Sequence, residues 1–274
     1  MPYQEHDSID SVPDSKKIWR YYSTSKFLSL IETDSLFLSR IDQFDDPFEG
    51  YAPVQNLKKE ADNQQNLKEN LDKLYSQTSA GEYPEDRNAG EKVSQVYEMI
   101  RSNSLASCWC MAESDSLVMW NSYIPSGDGV AISTTFGNLK SAIRNGEDFD
   151  YYAGEVNYYD YFGDFLGTTN YFDYVMSKPK QYEFEKELRL LMWWPEHGDT
   201  DPDIGPNGVL VDRDPAPEGK SFEININQLI DEVYLSPFSP PWQSVNVWEN
   251  LLSDAGVNAT VETSDLEMEP GDYV

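Results

Sequence analysis

Three glutamates spaced two residues apart form the pattern in this chain that is best suited to chemistry on a sugar. They are Glu183, Glu185 and Glu187, and Arg189 continues the spacing. Residues two apart on a strand share one face, so the sequence predicts adjacent carboxylates and an arginine that can pair with Glu187. Such a face is either a solvated acidic edge or a site. A site of this kind would steady a sugar hydroxyl and the positive charge that develops when a glycosidic bond breaks.

Two further segments combine aromatic side chains with polar groups. Arg20 lies between Trp19 and Tyr21, and it can clamp a phosphate or a ribose hydroxyl through paired hydrogen bonds, or bridge to a surface acid. Trp120 and Tyr123 are three apart on an expected helix, so they share a face. They form either a core anchor or an aromatic wall that stacks on a base or a nicotinamide ring.

An aspartate-rich segment, Asp45-Asp46-Pro47-Phe48-Glu49, follows a predicted strand. The proline restricts Asp46 to extended backbone angles and stiffens the loop. The spacing of its carboxylates is not that of a calcium-binding loop. We therefore predict a turn held by aspartate side chains and no metal site.

Charge sets the broad class of partner. The chain has 274 residues, with 49 Asp and Glu against 20 Lys and Arg, a formal net charge of −29. Nucleic-acid binding needs a basic stripe, and the sequence has none, so direct binding of nucleic acid is not expected. The acid is spread along the chain. It indicates either adaptation to high salt, as in a halophile, or mimicry of a nucleic acid.

Cysteine usage and hydropathy predict a soluble cytoplasmic protein with no membrane segment. The two cysteines, Cys108 and Cys110, share one face of a strand, and the extended backbone holds them too far apart and too parallel to bridge easily. Two small buried thiols in a reducing compartment are therefore expected. The first residues are polar rather than signal-like, and no apolar run approaches membrane-spanning length.

The pattern of elements predicts an α+β fold with mixed or antiparallel sheets and grouped helices. We predict a polar tail at 1–16, one domain at 17–274, and a helical insertion at about 54–104. Predicted strands are Lys17–Tyr22, Ser35–Ser39, Leu105–Met111, Gly129–Thr134, Phe149–Tyr161, Glu185–Trp194, Gly208–Asp212, Ser221–Ile226, Ile230–Leu235 and Asn258–Thr263. Predicted helices are Ser25–Glu32, Val54–Gln77, Lys92–Ser102, Ser114–Tyr123, Phe136–Arg144, Tyr171–Met176 and Pro241–Ala255.

Five of these motifs, taken in order, resemble the microbial family named domain of unknown function 2971, over about Lys17 to Thr263. The matching segments are Trp19-Arg20-Tyr21, Asp45 to Glu49, Cys108 to Met111 with Met119-Trp120-Asn121-Ser122-Tyr123, Gly129-Val130-Ala131-Ile132, and Lys178 or Lys180 with Glu185-Lys186-Glu187-Leu188-Arg189. The sequence departs from the family at Tyr182, where a tryptophan is usual.

That family looks distantly similar to ADP-ribosyltransferases. The resemblance implies a split-sheet core and NAD as substrate. Arg20, beside Tyr21, would hold the ribose or phosphate, and Trp120 and Tyr123 would pack the nicotinamide. Glu187 would stabilise the oxocarbenium-like state, with Glu185 as base or acceptor-positioning group. The resemblance thus implies a mono-ADP-ribosyltransferase or NAD glycohydrolase with an unidentified macromolecular acceptor, suited to a toxin or a phage-defence effector.

Two other classes of function stay open. A non-catalytic module could bind a nucleotide or a protein in the same aromatic cleft, with Glu187 locked to Arg189. An acidic mimic or inhibitor would need a continuous carboxylate stripe, which the even spread of acid disfavours. Convergence of Arg20, Tyr123 and Glu187 in one cleft would favour the enzyme, and a buried Glu187–Arg189 pair would favour the binding module.

Overall fold

The computed structural model describes residues 3–7, 9–59, 62–63, 97–144, 149–166, 171–194 and 215–267. Over these residues the chain is mixed α+β, with one nine-stranded, mostly antiparallel sheet, a two-stranded ribbon and several helices. The predicted α+β class is confirmed. Alternating apolar residues build the central strands, and the helices place their apolar side chains on the sheet.

The strands are numbered in chain order. They are β1 Lys17–Ser23, β2 Ser35–Arg40, β3 Ser104–Met111, β4 Gly129–Thr135, β5 Tyr151–Glu155, β6 Asn157–Tyr159, β7 Ser177–Pro179, β8 Glu187–Trp193, β9 Gly219–Glu223, β10 Glu232–Leu235 and β11 Thr260–Thr263. The α-helices are Thr24–Thr33, Leu117–Tyr123, Phe136–Ala142, Tyr171–Val175, Ile226–Leu229 and Val245–Asp254, and helical backbone is also present at 54–59, 62–63 and 97–102. Short 3₁₀ helices occupy Ile41–Gln43, Lys180–Glu185 and Asp265–Glu267.

The sheet forks at β3. One edge of β3 pairs with β8 along seven residues, from Ser104↔Trp193 to Cys110↔Glu187. Two strands share its other edge. Strand β1 pairs with β3 at Met111 and Cys110, and β2 pairs with β3 at Ala106 and Leu105. Strand β1 continues through β4 and β10 to β11, and β2 continues to β9. The sheet therefore divides beside Ser107 and Cys108.

The two faces of the sheet have different cores. Helices Thr24–Thr33, Phe136–Ala142 and Val245–Asp254 cover one face, where Ile18, Trp109 and Leu190 lie in the largest apolar cluster. The opposite face has two smaller clusters. One packs helix Leu117–Tyr123 on β1, and the other packs the helix at 97–102 beside β8. The charged groups of the candidate site lie on this second face.

Several element bounds differ from those expected. The predicted strand Phe149–Tyr161 is two strands, β5 and β6, and the end of the predicted strand Ser221–Ile226 begins a helix instead. The predicted strand Gly208–Asp212 and most of the predicted insertion at 54–104 lie outside the described residues. At the N-terminus, Gln4 N donates to Tyr151 O at 2.8 Å, so part of the 1–16 segment is packed on β5.

Within the described parts of the chain, no helix combines the length and the apolar character needed to cross a membrane.

Candidate functional site

Five buried charged side chains meet on the second face of the sheet, and we call them the glutamate cluster. The members are Glu49, Glu185, Glu187, Lys178 and Arg189. Arg189 and Glu49 are fully buried, Glu187 is 2% exposed, and Glu185 and Lys178 are each 8% exposed. Glu185 and Lys178 therefore form the outer rim of the cluster.

Arg189 lies at the centre of the cluster between two carboxylates. Its Nε donates to Glu187 Oε1 at 2.7 Å, and its Nη1 donates to Glu49 Oε1 at 2.7 Å and also to Val175 O. The sequence-based expectation that Arg189 pairs with Glu187 is confirmed. A buried charge is costly unless it is paired and hydrogen-bonded, so these contacts are what allows the guanidinium to lie there.

Lys178 completes the cluster from the two-stranded ribbon. Its Nζ donates to Glu185 Oε2 at 2.5 Å and to Glu187 Oε2 at 3.2 Å. It lies 3.9 Å from Glu49 Oε2, which is beyond hydrogen-bond distance. One ammonium group thus faces all three carboxylates.

A change of backbone direction aims Glu185 and Glu187 at the same point. Glu185 ends the 3₁₀ helix, and Lys186 takes the left-handed conformation with φ 42°, before β8 begins at Glu187. The prediction that Glu183, Glu185 and Glu187 share one strand face is therefore wrong. Glu183 is exposed, and Glu185 reaches the cluster through the turn rather than through strand alternation.

The cluster has three carboxylates and two cations, so it carries one net negative charge when all members are ionised. Burial by itself raises the pKa of Glu187, but the charges of Arg189 and then Lys178 outweigh burial and hold that pKa at about 2. Burial raises the pKa of Glu185 in spite of Lys178, and it raises the pKa of Glu49 in spite of Arg189. Glu187 is therefore the permanent anion, and Glu185 is a better proton acceptor than an ordinary glutamate.

Three tyrosines surround the rim of the cluster. The Tyr158 hydroxyl accepts from Glu187 N at 2.8 Å, and Lys178 Nζ lies 4.8 Å from the centre of the half-buried Tyr182 ring. Tyr123 is 47% exposed. The pKa of its hydroxyl is raised, first by removal from water and next by the charge of Glu185. The charge of Glu187 also acts on this hydroxyl, so Tyr123 lies near the two glutamates, with no hydrogen bond between them among the described contacts.

Tyr21 and Trp120 lie behind Tyr123 rather than at the rim. The Tyr21 ring stacks on Tyr123 at 6.4 Å and meets Trp120 edge-on at 4.9 Å. Trp120 is fully buried, and its Nε1 donates to Asp115 Oδ2 at 2.7 Å. Of the two interpretations of Trp120, the structure favours the core anchor, and Tyr123 alone of the pair presents an accessible ring.

Arg20 lies on the opposite face of the sheet. It donates to Ser107 Oγ and to Phe37 O, and its guanidinium lies 5.0 Å from the Tyr22 ring centre. Trp19 and Tyr21, its neighbours on β1, point to the face that holds the glutamate cluster, and alternation places Arg20 away from it. The structure brings Tyr123, Glu185 and Glu187 together, but it does not bring Arg20 to them. Arg20 instead spans the fork beside β3.

Sequence reasoning did not assign Glu49, Lys178 and Tyr158 to the site. Glu49 was treated as part of a turn, which the structure supports, since Asp46 Oδ1 accepts from Phe48 N at 3.0 Å. The available signal was a glutamate beside aromatic Phe48 and an arginine, Arg189, whose guanidinium can bond more than one carboxylate. No spacing rule links positions that are 140 residues apart.

The cysteines do not supply a nucleophile. Burial, and next the charge of Glu187, hold the pKa of the Cys108 thiol well above its usual range, and burial raises the pKa of Cys110 to about 11. A protonated thiol is a poor nucleophile. Among the described residues, no three His, Cys, Asp or Glu side chains are grouped so that they could hold a metal ion.

The residues at the rim define the kind of ligand that could bind there. Carboxylates in excess of cations, beside tyrosine rings, suit a positively charged aromatic ring and hydroxyl groups. They do not suit a pyrophosphate, and Arg20 is not on this face to bind one. The comparisons with known proteins give no match: no family model, no curated protein and no solved structure matches the chain.

Proposed function

We propose that the chain is an NAD-dependent mono-ADP-ribosyltransferase-like protein that binds the nicotinamide riboside end of NAD over the glutamate cluster. One observation carries the proposal. Glu187, a carboxylate that is 2% exposed and bonded to both Arg189 and Lys178, lies beneath a rim formed by Glu185, Lys178 and the exposed Tyr123. A fixed anion in a water-poor site stabilises a positive charge that develops nearby.

The reaction follows from this arrangement. The bond between the ribose C1′ and the nicotinamide nitrogen breaks, and the electron pair leaves with nicotinamide. The ribose then carries positive charge, which Glu187 stabilises from below while Tyr123 packs against the leaving ring. A nucleophile of the acceptor, or water, bonds to C1′ and gives its proton to Glu185, whose raised pKa suits this role.

The fork at β3 supports the finer fold assignment. A sheet that divides beside its central strand is what a split-sheet core of the ADP-ribosyltransferase kind requires, and β1 and β2 leave β3 in this way. Arg20 lies in the fork and stabilises it through Ser107. In this proposal Arg20 shapes the site from behind and does not contact NAD there.

A second candidate is a non-catalytic module that binds a nucleotide or a protein at the same rim. Both criteria set by the sequence favour it: Glu187 is buried and fully engaged, since Oε1 accepts from Arg189 and Oε2 accepts from Lys178, and Arg20 does not converge on Glu187 and Tyr123. A carboxylate held in this way has less freedom to follow a reacting sugar. Binding without cleavage would then use Glu185 and the tyrosines alone.

The test is nicotinamide release from NAD, followed by chromatography in molar KCl. The variants are Glu185→Gln and Glu187→Gln, and the matched control is Glu183→Gln, an exposed neighbour on the same segment. Release by the wild type and the control, but not by the other two, supports the enzyme. If NAD raises the melting temperature without release, and Glu185→Gln abolishes the shift, the binding module is supported. If NAD is not cleaved and does not raise the melting temperature, both candidate functions are rejected.

A further inference from the structure

A group of buried polar atoms beside the glutamate cluster has no hydrogen-bond partner. Across the described residues, Asp46 Oδ2, Glu49 Oε2, Tyr161 Oη and Arg189 Nη2 are buried and make no hydrogen bond. Their residues are at most 5% exposed. Buried polar groups in folded proteins nearly always have a partner, and an unpartnered one costs about 1–3 kcal/mol. Four together leave hydrogen-bonding groups that a polar ligand or ordered water would satisfy.

The residues that carry these atoms belong to one turn of the chain or contact it. Glu49 N donates to Asp46 O at 3.2 Å, so the two carboxylates belong to the same turn. The Tyr161 ring lies 4.7 Å from the Phe48 ring of that turn, and Arg189 is bonded to Glu49. The half-buried Tyr182 lies at the boundary with the rim, where the charges of Asp46, Lys178 and Glu185 all act on it. We call the group the Asp46–Glu49 subsite.

The unpartnered atoms define the chemistry of the occupant. The two carboxylate oxygens can only accept, Arg189 Nη2 can only donate, and the Tyr161 hydroxyl can do either. Arg101 Nε, which is also buried and unpartnered and whose side chain lies beside Gly50 of the turn, can only donate. A metal ion or an ammonium group would satisfy the carboxylates but not the guanidinium nitrogens. Two adjacent hydroxyl groups satisfy all of them, because each hydroxyl donates to a carboxylate and accepts from a donor.

We propose that the Asp46–Glu49 subsite binds the vicinal diol of a pentose, the ribose that carries the nicotinamide ring. The proposal rests on the proposed function and deepens it, because it assigns the ribose to a turn that the resemblance did not link with ribose. Asp46, Glu49 and Arg189 then hold the sugar hydroxyls from one side. Glu185 and Tyr123 are on the side of the leaving ring.

The test compares ligands with and without the diol. Asp46→Asn keeps the Oδ1 that holds the turn and replaces Oδ2, and the matched control is Asp45→Asn, its exposed neighbour. Calorimetric titration with nicotinamide riboside should show affinity at least tenfold weaker for Asp46→Asn than for the wild type and the control. Titration with nicotinamide, which has no diol, should give equal affinity in all three.

The other outcomes separate this proposal from the proposed function. Equal affinity for nicotinamide riboside in all three proteins overturns the subsite, assigns its atoms to ordered water and leaves the proposed function standing. If the wild type binds neither compound, the proposed function fails. D-ribose at millimolar concentration then decides: a rise in melting temperature that Asp46→Asn abolishes supports the subsite, and no rise overturns it. Glu49→Gln replaces Asp46→Asn in each comparison if the latter does not fold.

Discussion

Arg189 is the residue on which the buried charges depend. Its guanidinium is fully buried and is bonded to two carboxylates from different parts of the chain. A buried ion pair adds little net stability, but removing one partner leaves the other charged and unsolvated. Arg189 is therefore needed to keep the buried carboxylates paired, and it adds little net stability of its own.

Substitution of Arg189 should be far more harmful than substitution of a surface arginine. We expect Arg189→Met to lower the free energy of unfolding by about 3–5 kcal/mol, because Lys178 is then the single cation among three buried carboxylates and Glu49 loses its hydrogen-bonded partner. The control is Arg144→Met, whose ion pair with Glu223 is exposed and should contribute less than about 1 kcal/mol. Urea denaturation in molar KCl measures both, and equal losses would contradict the central role of Arg189.

The ionisation of Glu187 predicts a pH dependence at the same scale. Its folded pKa of about 2 is below its ordinary value of 4.5, so the stabilisation that it provides is complete above about pH 4.5 and is lost as the pH falls toward 2. Glu187→Gln should therefore lose its stability deficit relative to the wild type over this interval. Urea denaturation at several pH values measures the deficit, and a deficit that is constant between pH 6 and pH 3 would refute the assignment.

At the scale of elements, the strand ends decide the site, and these are what the sequence predicted least well. Strand β3 and helix Phe136–Ala142 were predicted to within two residues, because apolar periodicity determines them. The strand predicted from Glu185 begins instead at Glu187, since Lys186 adopts a left-handed turn that no residue preference signals. The resemblance implied that Arg20, Tyr123, Glu185 and Glu187 lie together, but Arg20 lies on the opposite face because strand alternation turns it away. Glu49 was not assigned to the site, because its partner is contributed by tertiary contact alone.

The turn that presents Glu49 depends on Gly50. Gly50 has φ 74°, and a Cβ there would lie 2.7 Å from Arg101 Cγ. We expect Gly50→Ala to destabilise by more than the roughly 1–2 kcal/mol of left-handed strain, because Arg101 must also move. Gly256→Ala is the matched control, since it has φ 72° and nothing within 4 Å of the added Cβ. Chemical denaturation measures the free energy of unfolding of both variants. Equal losses would indicate that the Arg101 side chain moves aside without destabilising the protein.

For the whole molecule, the dominant property is its charge. A net charge of −29 destabilises the compact state through self-repulsion, and dissolved salt screens that repulsion. We expect the melting temperature to rise by several degrees between about 0.1 M and 2 M KCl at pH 7. The rise should nearly vanish close to the isoelectric point of about 4.2. A salt effect of equal size at both pH values would point to a general solvent effect on burial instead.

The separation of 140 positions between Glu49 and Arg189 has a consequence for the newly made chain. At about 5–20 residues per second, a ribosome makes Glu49 roughly seven to thirty seconds before Arg189. Over that interval the carboxylate has no guanidinium to bond, and burying it alone would be costly. The turn around Glu49 must therefore stay in contact with water until β8 is made, and the final packing of this face waits for the later part of translation.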